Sequence, residues 1–258
     1  MKDFPDLPHL RQLQHDLWSW PRSRAALMVG AGLSLNADPL PGVTSRFPTW
    51  KELVRFMFDE LHPLSSKPTP DEERSREEEF ASEGALRIAS EYEAAFGRRK
   101  LDLLIQNRNP DNDYCPGKIH RLLLQLPWAD VFTTNYDTLL ERTSVPSRAY
   151  TPVMAPSGLT TAFPPRIIKL HGSLSTQGPY VITEEDYRTY RRKQAPFVNS
   201  VQQALIENSF VLLGFSGDDP NFLEWSGWIR DELGDKHAPI YLVGPLNLEP
   251  PKRVLHGF

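Results

Sequence analysis

Trp128-Ala129-Asp130-Val131-Phe132-Thr133-Thr134-Asn135-Tyr136-Asp137 carries an apolar run into two hydroxyls, an amide and a carboxylate. A helical pattern, Thr138-Leu139-Leu140-Glu141-Arg142, starts directly behind it. A short unbroken apolar run of this kind predicts a strand buried on both faces of a parallel sheet. Ligands of open α/β sheets bind in the crevice beyond the carboxyl ends of the strands. Asn135 is therefore either a helix cap or the centre of a site, and its neighbours must decide.

Other segments repeat the arrangement. Ala25-Ala26-Leu27-Met28-Val29 predicts a strand that ends in Gly30-Ala31-Gly32-Leu33-Ser34 at a junction with a helix. Further strands are expected at 166–170, 180–183, 210–213 and 240–243. Helical patterns lie at 9–20, 49–61, 71–96, 119–126, 184–192, 197–208 and 221–233. Thr49 with Glu52 forms a capping box ahead of the apolar face Leu53, Phe56, Met57 and Leu61. Strands alternating with helices give an α/β fold, a Rossmann-like and mostly parallel sheet with helices on both faces. Residues 47–117 hold helices without a convincing strand and read as a helical lobe inserted into a single domain spanning 1–258.

Bulk properties narrow the function. The 258 residues carry 29 basic and 33 acidic side chains, a net charge of -4, which argues against nucleic-acid binding by the whole chain. The start, Met1-Lys2-Asp3-Phe4-Pro5, lacks the basic and apolar regions of a signal peptide. No apolar run approaches the roughly 20 residues that span a bilayer. Cys115 is the single cysteine, so an internal disulfide and a cysteine-rich zinc site are both excluded. The expectation is a cytoplasmic protein that does not bind membranes.

Three further strand ends carry chemistry. Glycines at 30 and 32 would let a backbone approach a pyrophosphate, although the third glycine of G-x-G-x-x-G is missing and a plain structural turn fits equally well. His171 closes Ile167-Ile168-Lys169-Leu170 and precedes Gly172, a place where it would meet a ligand or be satisfied by loop carbonyls. Gly214-Phe215-Ser216-Gly217-Asp218-Asp219-Pro220 ends another apolar strand. It reads either as a turn in which Asp219 caps the next helix at Pro220, or as a second backbone cradle for phosphate or ribose.

Gly30-Ala31-Gly32-Leu33-Ser34, Thr134-Asn135-Tyr136-Asp137, Lys169-Leu170-His171-Gly172 and Gly214-Phe215-Ser216, in that order, resemble the sirtuin superfamily. The closer resemblance is to the sirtuin-like NAD-degrading domains of bacterial antiphage defence, in which Pro-x-Trp-x-x-Leu follows the glycine turn, as Pro48-Thr49-Trp50-Lys51-Glu52-Leu53 does here. Deacylating sirtuins carry two Cys-x-x-Cys zinc pairs and an Asp-Phe-Arg element; this chain has one cysteine and Ser45-Arg46-Phe47.

The resemblance implies an NAD+ hydrolase with NAD as substrate and no zinc. Asn135 and His171 would be catalytic, and Gly30, Ala31, Gly32, Ser34, Thr134, Asp137, Gly214 and Ser216 would hold the dinucleotide. It also implies control by a homo-oligomer or by a defence partner such as a HerA-type ATPase or a short Argonaute. Two other readings stand beside it: protein deacylation or ADP-ribosyl transfer with the same cofactor, and a regulatory module that binds NAD or ADP-ribose without turnover.

Overall fold

The structure, a computed structural model, describes residues 5–64, 66, 68–215 and 219–244. In chain order the elements are α1 (Leu7–Leu17), β1 (Ala25–Val29), β2 (Asp38–Pro39), α2 (Trp50–Leu61), α3 (Pro70–Ser82), α4 (Ala85–Phe96), α5 (Arg98–Arg108), β3 (Tyr114–Cys115) and α6 (Lys118–Gln125). There follow β4 (Val131–Thr133), β5 (Thr151–Val153), β6 (Arg166–Lys169), α7 (Glu184–Lys193), α8 (Ala195–Glu207), β7 (Ser209–Leu213), α9 (Pro220–Leu233) and β8 (Ile240–Val243).

Six strands form one parallel sheet in the order β5-β6-β4-β1-β7-β8; β2 and β3 pair separately. The α/β architecture expected from the alternation of elements is the one observed. Alternate residues of the strands feed different cores. Ala26, Met28, Phe132, Ile168, Phe210 and Leu212 face α7, α8 and α9. Ala25, Leu27, Val29, Val131, Ile167 and Val211 face Leu17 of α1 and Leu124 of α6. Burial on both faces is why these strands read as unbroken apolar runs.

Topology and register place the crevice. The chain runs from β1 to β4, out to the edge strand β5 and back to β6 between them, then crosses to β7 on the other side of β1. The strand order therefore reverses at β1, the kind of switch point where open sheets bind ligands. Val29 pairs with both Thr133 and Leu213, and Thr133 pairs with Lys169. Four strands thus end level, and Gly30, Thr134, Leu170 and Gly214 are the first residues beyond them.

Helices α2, α4 and α5 share a core of Leu53, Met57, Phe58, Ile88, Tyr92, Leu101 and Ile105. Thr49 caps α2 through the expected box, accepting from the Glu52 amide while the Glu52 carboxylate accepts from the Thr49 amide. This lobe is tied to the sheet by Arg98, which donates to Asp186 at 2.8 Å and to the Tyr180 carbonyl.

Several expectations need correction. Residues 180–183 form no strand. Tyr180 and Ile182 enter the core of the helical lobe while Val181 enters the sheet core, so a connector clamped on two sides mimics strand periodicity. Thr138 to Arg142 makes one turn rather than a helix, with the Asp111 carboxylate accepting from the Thr138 amide and hydroxyl. The glycine turn leads into a short 3-10 turn, Ser34–Asn36, not an α-helix. Residues 71–96 are two helices, broken where Glu83 and Gly84 adopt extended backbone. Strand β5 escaped notice because it is three residues long and contains Pro152, tolerated at the sheet edge.

Candidate active site at the carboxyl ends of the strands

Asn135 is the hub of a network joining two strand ends. Its Nδ2 donates to the Gly30 carbonyl at 3.0 Å and to Ser34 Oγ at 3.1 Å. Ser34 Oγ in turn donates to Asp137 Oδ2 at 2.6 Å, and Asp137 Oδ1 accepts from the Leu139 amide. The Asn135 amide N–H is held by Thr133 Oγ1, which donates to the Val29 carbonyl. An amide nitrogen has two protons to give. Both are spent on the protein, so towards a ligand the Asn135 side chain can only accept.

The glycines serve backbone packing as well as any ligand. A methyl group on Gly30 would sit 2.5 Å from the Gly214 carbonyl oxygen and 2.7 Å from Phe215 Cα. Gly214 itself has φ of 59°, the left-handed region that disfavours a side chain. The Gly32 amide donates to the Gly214 carbonyl, and the amides of Gly30, Leu33 and Ser34 also donate within the protein. Two loops from neighbouring strands thus lock backbone to backbone. Gly30→Ala should cost about 1–3 kcal/mol, the usual range for overpacking, because backbone atoms cannot rotate away. Urea denaturation checks this, and an unchanged midpoint would show that the loops yield freely.

His171 lies on the other side of β4, buried to 3% exposure. Its Nε2 is 3.3 Å from Asn221 Nδ2 and 3.8 Å from Asp219 Oδ2. Tyr187 and Tyr190 meet its ring edge-on, and Tyr187 donates to Asp219 at 3.0 Å. Burial lowers the His171 pKa from its ordinary value; Asp219 and Asp186 oppose the shift without reversing it. The ring is therefore neutral at physiological pH. Asp219 also caps α9, as expected, accepting from the amides of Asn221 and Phe222.

Burial likewise lowers the pKa of His120, whose Nδ1 accepts from the Gly117 amide. In the unfolded chain both rings take up a proton near pH 6.5, before the folded protein can. Their contribution to stability is present above that value and is lost as pH falls through the folded values. Chemical denaturation between about pH 7.5 and 5 should show this fall, and His171→Gln should flatten it; an unaltered slope would remove His171 as a contributor.

The structure brings Gly30, Ser34, Thr134, Asn135 and Asp137 together, with Gly32 and Gly214 packed behind them. Ala31 is exposed at the turn, and Ser216 lies outside the described residues. Three contributors went unnoticed in the sequence. Lys169, 1% exposed, donates to the Asp137 carbonyl and pairs with buried Glu141 at 3.0 Å, so a hidden ion pair supports the Asn135 loop from below. Asn221 and Tyr187 frame His171 from α9 and α7. A lysine inside an apolar strand was the available signal for the first; nothing local marked the other two.

Residues 129–255 match the family model described as SIR2-like domain. That stretch is sirtuin-like. It is 28% identical over 206 residues to NAD(+) hydrolase ThsA of Acinetobacter baumannii (strain 532279), covering 76% of this chain and 37% of that protein. The ThsA of Enterococcus faecium is 27% identical over 231 residues, 86% of this chain and 43% of its own. Defense-associated sirtuin 2 of Bacillus subtilis is 24% identical over 229 residues, 85% of this chain and 20% of its own. The chain thus spans less than half the length of the curated relatives it matches. Among the described residues no helix is long and apolar enough to cross a membrane.

Proposed function

We propose that this chain hydrolyses NAD+ to nicotinamide and ADP-ribose as a toxic effector of antiphage defence. The observation that carries the reading is the level ending of β1, β4, β6 and β7, which sets the Asn135 network and neutral His171 at a switch point of the sheet. The names of the relatives, NAD(+) hydrolase and defense-associated sirtuin, support it.

In the reaction the bond between ribose C1′ and the nicotinamide nitrogen breaks, and its electron pair leaves with neutral nicotinamide. Water adds to C1′ and one proton is released. The leaving group needs no strong acid; the attacking water needs orientation and a proton acceptor. Asn135, limited to accepting through Oδ1, holds the water or a ribose hydroxyl. His171 bonds a ribose hydroxyl and takes the proton. Gly30, Ala31, Gly32, Ser34, Thr134, Gly214 and Ser216 line the dinucleotide, and Asp137 fixes the loop by anchoring Ser34.

The chain acts as one domain, 1–258, with 47–117 as its helical insertion, in the cytoplasm. Its activity is held in check by a homo-oligomer or by a defence partner such as a HerA-type ATPase or short Argonaute. Incubating the purified chain with NAD+ and separating the products by chromatography tests the chemistry. Equimolar nicotinamide and ADP-ribose are expected. ADP-ribose attached to protein, or acyl-lysine turnover, would replace hydrolysis by transfer or deacylation, and tight NAD binding without product would leave a sensor.

A further inference from the structure

The helical lobe holds a cluster that the NAD chemistry does not use. His62 follows the last residue of α2, Glu83 follows the last residue of α3, and Glu91 lies within α4. One ligand-capable atom from each lies within 4.8 Å of the others. His62 Nε2 and Glu83 Oε2 are both buried from solvent, and among the described residues neither has a hydrogen-bond partner. A buried polar atom left unpaired costs roughly 1–3 kcal/mol. Two unpaired buried atoms on residues of one cluster call for a shared partner.

We propose that His62, Glu83 and Glu91 form a binding site for a divalent transition-metal ion, with Zn2+ the best match. One imidazole nitrogen and two carboxylate oxygens suit Zn2+, whose bonds to both run about 2.0–2.2 Å. Ca2+ and Mg2+ prefer oxygen alone, which the imidazole does not supply. Tetrahedral Zn2+ bonds of that length set ligands about 3.4 Å apart, so groups within 4.8 Å of one another close in by at most about 1.4 Å, within reach of side-chain rotation. Arg87 donates to Glu91 Oε1 at 2.9 Å. This exposed ion pair is weak, and a carboxylate can keep it while offering its second oxygen.

The location gives the ion a task. Within α3 only Phe80 is buried, and the helix is otherwise held by polar contacts such as the ion pairs Arg55–Glu77 and Arg76–Asp59 and the Arg76 Nε donation to the His62 carbonyl at 2.9 Å. Binding at Glu83 would fasten the carboxyl end of α3 to α2 and α4 together. The absence of cysteine pairs led to the expectation of no zinc, yet these ligands come from positions 62, 83 and 91 with no motif spacing to betray them.

The full chain carrying Cys115→Ser, which removes an exposed thiol as a competing ligand, is stripped with chelator and titrated with ZnCl2 by calorimetry and thermal unfolding. Saturable binding near one ion per chain and a Tm that climbs with Zn2+ but not Mg2+ are expected. His62→Gln and the near-isosteric Glu83→Gln should each weaken binding by about 10–100-fold or more, the range that loss of even a supporting partner produces. Failure to saturate near one ion per chain, or an unchanged affinity in Glu83→Gln, would overturn the site.

Discussion

Asn135→Ala is expected to reduce nicotinamide release by about 10²-fold, the loss that accompanies an ångström of misplacement between reactants. His171→Ala should lose about 10²–10⁴-fold, the usual contribution of a positioned base. The two need different controls. Asn135 also joins Gly30 to Ser34, so its variant requires an NAD titration and a denaturation curve beside the rate. If NAD still binds while release collapses, the amide acts on the reacting centre. If NAD binding and stability fall together and the rate at saturation does not, Asn135 is a loop staple and its catalytic role fails. Ser34→Ala isolates the second hydrogen bond of the amide and should leave measurable turnover.

Lys169→Met should be the most damaging single change to the fold. It strands Glu141 in a buried site, and breaking one partner of such a pair costs about 3–5 kcal/mol. Burial already raises the Glu141 pKa, with Lys169 opposing, and Glu141 Oε2 has no hydrogen-bond partner. Without the lysine the carboxyl shifts further up. A group whose folded pKa is raised contributes stability that is present below its unfolded value, near 4.5, and is lost as pH rises through the folded value. The variant should therefore be closer to wild type at pH 5 than at pH 8. Lys169→Met with Glu141→Leu should recover much of the loss, since apolar replacements of buried pairs are often neutral. A double variant no better than the single would mean that Lys169 matters for the Asp137 carbonyl it holds, not for its charge.

The central strands were legible because burial on both faces leaves an unmistakable run: 25–29, 131–133 and 166–169 lie within what hydrophobicity marks, and 209–213 exceeds it by Ser209 alone; the edge strand 240–243 is only partly buried yet keeps an apolar run. The same rule misled at 180–183, where apolar residues point into two cores without any strand partner. Thr49 and Asp219 announced their caps because side chain and amide lie two or three residues apart. Arg98, Asp111 and Asn221 act across long stretches of chain, on Asp186, Thr138 and His171, and no local pattern carries that information. The candidate site divides in the same way. Strand ends could be read one at a time, whereas their level alignment and the donor accounting of Asn135 exist only once the strands are paired.

That donor accounting has a thermodynamic consequence. Ser34 Oγ gives its one proton to Asp137 and receives one from Asn135. A phosphate that claims the Ser34 proton takes it from Asp137, and a phosphate that moves Ser34 releases one arm of the Asn135 amide. Occupancy at the glycine turn and posture of the amide are then one equilibrium viewed from two ends, and linkage makes the influence mutual. A dinucleotide fragment lacking the nicotinamide ribose would still reset the residue we propose to hold that ribose. Engagement of one half of the substrate would prepare the crevice for the other.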